Sequence, residues 1–218
     1  MMKKEFSTVP ESLNGKLDDM YSWVELLTGF ATPVFVVSGW KSNGKENACL
    51  STGVSFFSDG DGFFCTLSGI GKWGHRYKSL KETGCCVLNF PSRGVYELCY
   101  TTVDNNEDET DEITASGLTA EKAVCVNAPR IAECFLNVEC EYLWEHQVSK
   151  NSDTCVIALK VVHIGMDSNR YDQSTIGRYG KDGFVYYVNQ LCNPDTGKIA
   201  SDMYVGIELF NHIEGCTV

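Results

Sequence analysis

The segment from Cys134 to Glu145 constrains this chain more than any other. Cys134, Leu136, Val138, Cys140, Tyr142 and Trp144 fall on one side of an extended backbone, and Asn137, Glu139, Glu141 and Glu145 fall on the other. Alternation with a period of two, sustained this long, predicts a strand with one face on a core and the other toward water. The apolar run from Asp153 to Gly165 follows and is expected to pair with it. More strands are expected from Pro33 to Trp40, Asn47 to Phe57, Phe63 to Ser68 and Cys85 to Phe90. Ser42-Asn43-Gly44 and Asp59-Gly60-Asp61-Gly62 supply turns, and Pro91 ends the last strand. Many strands, few helices and short turns point to a mainly β fold, a barrel or a sandwich with a few flanking helices.

Two stretches carry helical spacing. One runs from Leu17 to Phe30, with Met20, Trp23, Val24 and Leu27 on one side and Gly29 as its stop. The other covers residues 72–81, with a stripe of Trp73, Tyr77 and Leu80 and Gly84 as its stop. Residues 91–130 read as helix and loop, with Thr119 capping a short turn from Ala120 to Ala123. The tail from Ile176 reads as a strand at Phe184-Val185-Tyr186-Tyr187-Val188 plus a docking extension. No repeat or internal boundary interrupts the pattern, so the expectation is one domain over residues 1–218.

The charge is unevenly placed. The net charge of -11 argues against nucleic acid, because a phosphate backbone rewards a basic face. Asp104, Glu107, Asp108, Glu109, Asp111 and Glu112 crowd into one run with no Lys or Arg between them. Such a run is expected to be a solvated loop, and it lacks the glycine and distal glutamate of a calcium loop. Against this background Lys72, His75, Arg76, Lys78 and Lys81 form a basic island with no Asp or Glu among them. A local cationic island in an acidic chain suggests a bound anion.

The 11 cysteines do not read as a disulfide framework. The basic start Met1-Met2-Lys3-Lys4 has no apolar core behind it, no Cys-x-x-Cys pair occurs, and Cys65, Cys125, Cys140 and Cys155 sit in apolar runs. Reduced thiols in a cytoplasmic protein are the expectation. Cys85 and Cys86, adjacent on a strand, are expected to face opposite sides. No run approaches membrane-spanning length. Dinucleotide and nucleotide glycine loops are absent, as is a nucleophile elbow. His75, His146, His163 and His212 show no zinc spacing, so no metal ligand and no catalytic side chain is assigned.

The candidate site lies between Asn47 and Pro91. Asn47, Ser51, Thr52 and Ser55 place amide and hydroxyl groups along one expected strand, and Thr66 and Ser68 end the next. These groups suit hydrogen bonding to a flat heterocycle and a sugar-phosphate chain, with Lys72, His75 and Arg76 on the phosphate and Trp73 among them. The bland reading stays open on the residues alone: hydroxyls fit strands, and a basic helix face is commonly solvated.

The order of several motifs adds to this. They are Pro33-Val34-Phe35-Val36-Val37-Ser38, Asn47-Ala48, Tyr77 through Leu80-Lys81-Glu82-Thr83-Gly84 into Val87-Leu88-Asn89-Phe90-Pro91, Ser116-Gly117-Leu118-Thr119, and Ala128-Pro129-Arg130-Ile131-Ala132-Glu133 before Asn137-Val138-Glu139-Cys140. Over roughly residues 30–170 the chain resembles the flavin-reductase-like, FMN-binding split-barrel family, which includes the flavoredoxins. The resemblance implies a six-stranded Greek-key barrel that forms a homodimer, with FMN near the subunit interface. It implies that Asn47, Ala48, Cys49, Leu50, Ser51 and Thr52 lie along the flavin and ribityl chain. Leu67, Ser68, Lys72 and His75 would approach the phosphate, and Asn89 would lie near the ligand. The implied activity is hydride transfer from NAD(P)H to flavin and on to a small-molecule or protein acceptor. The alternatives are a non-catalytic FMN electron carrier, or a binding module for another anion. One departure stands out. The family's Ser-x-Asp-Pro-Pro is replaced by Ser55-Phe56-Phe57-Ser58-Asp59-Gly60-Asp61-Gly62, so this turn must differ, and the acidic run looks like an insertion that could form a lid.

Overall fold

The structure is a computed structural model, and it describes residues 2–9, 11, 26–27, 29–171, 178–179, 182–188 and 204–207. The expected helix from Leu17 to Phe30 lies almost wholly outside the described residues, as does most of the tail from Ile176. Two compact units are present: Met1–Thr32 with Tyr186–Val205, and Pro33–Val185 with Gly206–Val218. The first carries most of a three-stranded sheet, ordered β1 (Thr32–Pro33), β11 (Tyr186–Tyr187) and β12 (Tyr204–Val205).

The second unit is built on a seven-stranded sheet. In chain order its strands are β2 (Phe35–Trp40), β3 (Glu46–Ser51), β4 (Val54–Asp59), β5 (Gly62–Gly71), β6 (Cys85–Phe90), β9 (Leu136–Gln147) and β10 (Thr154–Met166). Their order in space is β3-β2-β6-β9-β10-β5-β4, all antiparallel. The fold is therefore mainly β and split-barrel-like. The ladder has seven strands where the resemblance implied six, and it stays open, with β3 and β4 as its edges. A short hairpin, β7 (Ala120–Lys122) and β8 (Pro129–Ile131), lies outside the ladder. Four α-helices, α1 (His75–Thr83), α2 (Arg93–Tyr100), α3 (Glu112–Ala115) and α4 (Ser168–Tyr171), and a 3-10 turn at Thr101–Val103 complete the described elements.

Both faces of the central strands are covered, which explains why β2 and β6 read as unbroken apolar runs. The inner core gathers Phe35, Val37, Cys65, Leu67, Leu88, Cys140, Ile157 and Leu159, together with Leu80 of α1. Each such side chain contributes about 1.5–3 kcal/mol by leaving water. The outer face of β2 and β3 packs Val36 and Ala48 against Cys99, Ile113 and Ile131. Cys86 joins the inner core while Cys85 packs with Ala123 and Val126, so the two adjacent cysteines do face opposite sides. Helix α1 ends at Gly84, whose φ of 70° and N–H bond to the Leu80 carbonyl form a left-handed cap.

Several expectations need correction. The single strand expected from Asn47 to Phe57 is two strands, β3 and β4, separated by Thr52-Gly53 and carried to opposite edges of the sheet. The helix expected over 72–81 starts at His75, because β5 continues to Gly71 and Gly74 caps the helix. Trp73 therefore lies outside the helix and is 67% exposed, where a buried stripe was expected. Thr119 caps no helix: its N–H is held by the Glu133 carboxylate, and the residues after it form β7. In β9 the expected face ends early. Tyr142 pairs with Leu159 and Trp144 with Ala158, so Leu143 is an extra, bulged residue. The bulge turns Trp144 outward and sends Glu145 to the inner side. The face read as solvated is also partly covered, with Glu139 buried and accepting the Val124 and Cys125 N–H groups.

Candidate functional site

The Thr52-Gly53 corner is where the sheet is split and where the separated candidates meet. The Ser68 N–H donates to the Gly53 carbonyl at 3.0 Å, drawing the middle of β5 against the corner. A Cβ at Gly53 would stand 2.5 Å from Ser68 Oγ and 3.3 Å from its carbonyl oxygen, so the close approach requires glycine. Arg76 donates to Ser51 Oγ at 2.5 Å, and Ser51 in turn donates to the Cys49 carbonyl. Ser51, Thr52, Ser68 and Arg76 thus converge on the corner.

The start of α1 adds donors. Its cap is Gly74, with no side-chain cap bond and no acidic residue in the first turn. The first intrahelical bond runs from the Lys78 N–H to the Gly74 carbonyl at 3.2 Å. The amides of His75, Arg76 and Tyr77 therefore have no helical acceptor, and the helix dipole makes that end attractive to an anion.

Strand parity divides the remaining candidates. Asn47, Cys49 and Ser51 lie opposite Gly39, Val37 and Phe35 and share the inner face with α1. Ala48 and Leu50 point to the outer face and pack with Cys99 and Ile113. Asn47 is buried, and its side-chain oxygen has no hydrogen-bond partner. The Leu67 side chain is in the inner core, so only its backbone faces outward toward the neighbouring strands. Asn89, expected near the ligand, has all its observed hydrogen bonds inside the protein. It sits on the outer face and is fully buried. Its nitrogen donates to the Val36 and Val87 carbonyls and to Ser38 Oγ, while its oxygen accepts from the Ile131 N–H and from Asn137. With both polar atoms taken up inside the protein, Asn89 ties the β8 strand to the sheet.

The basic island is largely committed to partners within the chain. Lys72 lies 3.8 Å from Glu145. Trp73 lies flat over Gly71, where a Cβ would come within 2.6 Å of the indole, and leaves its other face open. Lys81 reaches the Tyr142 hydroxyl at 2.9 Å and Glu145 at 3.4 Å. Burial alone would push the Glu145 carboxyl up, but hydrogen bonds from Tyr77, Lys81 and Tyr142 outweigh it and hold the group below its ordinary value. Burial, and then the bond to Glu145, push the Tyr77 hydroxyl up.

The acidic run accounts for His75, and here the sequence reading missed the central residues. His75 Nε2 lies 2.8 Å from Asp108 Oδ1, and its Nδ1 lies 3.4 Å from Glu112 Oε1. Glu112 is fully buried, pairs with Lys41 at 2.8 Å and accepts the Ala48 N–H at 2.6 Å. Lys41, itself buried, also donates to the Glu107 and Thr110 carbonyls. Asp111 accepts the Glu46 N–H, and the Glu46 carboxylate accepts the N–H of Thr114. The run is a strap along the free edge of β3, with its carboxylates taking the place of a neighbouring strand's carbonyls, where a solvated loop was expected. The one signal for this in the sequence is Ile113, an apolar residue closing the run that is fully buried. Between the strap, the turn after β2 and helix α1 lies a cleft of ≈ 360 Å³, lined by Lys41, Asn43, Lys78, Ser79, Glu82 and Asp108 among others. No cluster of His, Cys, Asp or Glu suited to a metal occurs among the described residues, and no helix among them is long and apolar enough to cross a membrane.

Residues 27–193 match the sequence profile of the flavin reductase like domain. No match was found among curated protein sequences. Solved structures share the fold. Nitrilotriacetate monooxygenase component B from Bacillus cereus superposes with a TM-score of 0.70 at 15% identity, covering 96% of this chain and 100% of that one. The 2-nitrobenzoate 2-nitroreductase of Pseudomonas fluorescens gives 0.67 at 17% identity, covering 94% and 95%. The flavoredoxin of Desulfovibrio vulgaris gives 0.64 at 16% identity, covering 86% and 93%.

Proposed function

Because the chain belongs to the flavin reductase-like family, we propose that it is an FMN-binding oxidoreductase that takes hydride from NAD(P)H and passes electrons to a small-molecule or protein acceptor. We take it to act in the cytoplasm as a homodimer. The observation that carries the reading is the uncapped, acid-free first turn of α1, set beside an arginine whose only hydrogen-bond partner among the described residues is the neutral Ser51 hydroxyl. Those donors fit a phosphate monoester: free helix amides, a guanidinium, and the hydroxyls of Ser51, Thr52 and Ser68. Asn47 and Cys49 continue the inner face of β3 away from the phosphate end, and the buried oxygen of Asn47 still lacks a donor. The exposed face of Trp73 suits stacking on an aromatic ring.

When bound, FMN would supply the hydride and electron chemistry, and the protein would supply position and electrostatics. Arg76 and the helix start would neutralise the phosphate. Ser51, Thr52 and Ser68 would orient the chain that joins phosphate to ring. Purified protein should take up added FMN and show the absorbance of bound oxidised flavin. Rapid bleaching on adding NADH or NADPH is the result expected of a reductase, whereas slow bleaching would mark an electron carrier. Arg76→Ala combined with Lys72→Ala should weaken FMN binding by about 10- to 100-fold, the loss of one charge-assisted phosphate contact and a nearby charge. Unchanged FMN affinity in that variant would remove the helix start from the site.

A further inference from the structure

Glu145 gathers four side chains beside the start of α1. Its Oε1 accepts the Tyr77 hydroxyl at 2.9 Å, and its Oε2 accepts the Tyr142 hydroxyl at 3.3 Å. The Lys81 ammonium stands 3.4 Å away and the Lys72 ammonium 3.8 Å away. The bulge at Leu143 is what sends this carboxylate inward. Tyr77 belongs to the first turn of α1, so Glu145 holds that turn from β9 while Ser51 holds the adjacent Arg76 from β3. The four side chains are not held alike. Tyr77 and Tyr142 donate hydrogen bonds, and Lys81 also reaches the Tyr142 hydroxyl at 2.9 Å and lies 4.2 Å from the centre of that ring. Lys72 has a charge contact alone: 3.8 Å is beyond hydrogen-bonding distance, and its ammonium has no other ion pair or hydrogen bond among the described residues. Its backbone is fixed in the turn from β5 into α1, where the Lys72 N–H donates to the Asp153 carbonyl at 2.9 Å and the Gly74 N–H to the Gly71 carbonyl at 3.3 Å. From that turn a flexible four-carbon stem can rest its ammonium on Glu145 or swing it toward an anion at the helix amides.

We propose that Glu145 is a positioning residue for Lys72: it parks the ammonium beside the helix start, and a phosphate bound there draws it off. The inference rests on the FMN-binding reading. The carboxylate can release this one cation because Tyr77, Tyr142 and Lys81 stay with it. Glu145 therefore opposes phosphate binding twice, as a competing partner for Lys72 and as a like charge nearby. Both side chains are partly exposed, so each effect is modest and falls with salt. A ligand moves Lys72 only by the difference between its own pull and that of Glu145. The phosphate of FMN has such a pull, and riboflavin, which lacks the phosphate, has none.

The test is titration of the purified protein with FMN and riboflavin, in the natural chain, Glu145→Gln, Lys72→Met and the double variant. Glutamine keeps an acceptor for Tyr77 and removes the charge. Glu145→Gln should bind FMN about three- to tenfold more tightly at low salt, with riboflavin unchanged and the gain shrinking as salt rises. Lys72→Met alone should change FMN affinity by less than about threefold, because Glu145 already offsets that cation, and the double variant should lose most of the gain. A purely structural Glu145 predicts the opposite sign, with FMN and riboflavin weakened together. Unchanged or weaker FMN binding in folded Glu145→Gln, or a gain that survives Lys72→Met in full, overturns the parking role and leaves the flavin reading standing. Should Glu145→Gln fail to fold, Lys72→Met decides alone: a loss above about tenfold would mean that Lys72 already serves the anion site and was never held back. A natural chain that binds no flavin overturns the functional reading and this inference with it.

Discussion

Replacing Glu112 by Gln should cost far more than an acidic residue in a surface run would suggest. The side chain is fully buried, its Oε1 is 2.8 Å from the Lys41 ammonium, and its Oε2 accepts the Ala48 N–H. Breaking a buried ion pair from one side typically costs about 3–5 kcal/mol, because a charge is left without a partner out of water. Two features place this case at the low end. Glutamine still accepts from Ala48, and Lys41 keeps the Glu107 and Thr110 carbonyls as acceptors. The expected loss is therefore about 3 kcal/mol. At roughly 2–4 °C per kcal/mol for a domain of this size, melting should fall by about 10 °C. Urea unfolding followed by circular dichroism measures this directly. A double-mutant cycle with Lys41→Met isolates the pair: the double variant should be more stable than the sum of single losses implies, by about 2 kcal/mol. A Glu112→Gln loss under about 1 kcal/mol, or additive single losses, would mean the strap is not anchored by this pair and that the run behaves as the solvated loop its composition suggests.

Asn89→Ala should destabilise by about 3–4 kcal/mol, since it strands the Ile131 N–H, the Asn137 amide and Ser38 in the interior, yet the folded protein should bind FMN within about threefold of the original; a selective loss of FMN would return Asn89 to the ligand. Gly53→Ala should weaken FMN binding severalfold with a stability cost of about 1 kcal/mol, because the new methyl forces Ser68 out of the corner, and a titration with a parallel melt checks both. Stability should fall steeply in alkali. Burial pushes the Cys86 and Cys134 thiols well above their ordinary value of 9.0. A bond to Cys65 and burial do the same for Cys140. A group whose value is raised by folding stabilises fully below its unfolded value and loses that contribution as pH rises beyond it, so the decline begins near pH 9 at up to about 1.4 kcal/mol per pH unit for each thiol. Melting temperatures that stay flat from pH 8 to pH 10 would contradict that burial.

Strand β9 was legible because burial mainly on one face leaves a period of two, whereas β2 and β6 were legible as nearly continuous apolar runs because both of their faces are covered. The boundaries failed where a single residue changed direction. Gly53 breaks a stretch that otherwise reads as one strand from Asn47 to Phe57, and Leu143 bulges within a segment whose alternation is interrupted only by its own apolar side chain after Tyr142. Neither has a local signature strong enough to outweigh the surrounding pattern. The candidate site was half legible for the same reason. Hydroxyls and cations could be named, but which of them share a face depends on where the strand turns. Ser51, Thr52, Ser68 and Arg76 meet because of the Gly53 corner, while Ala48, Leu50 and Asn89 are carried to the opposite face by parity. Lys41 and Glu112 were invisible as a pair because 71 positions separate them and each sits in a stretch that reads as an ordinary polar turn or run.

A basic island in an acidic chain can be read as the footprint of a ligand only after its cations have been matched to the chain's own acids. Here the matching changes which residue carries the argument. His75 is taken by Asp108 and Glu112, Lys72 and Lys81 lean on Glu145, and Lys78 faces a cleft edged with carboxylates. Arg76 differs in kind, because its partner is a neutral hydroxyl and its charge is not offset locally. A guanidinium held in place by a neutral group, beside helix amides without acceptors, is oriented before a ligand arrives and loses little on binding. The other cations shape the field around that point. Affinity at the proposed anion site would therefore rest on Arg76 and the helix start.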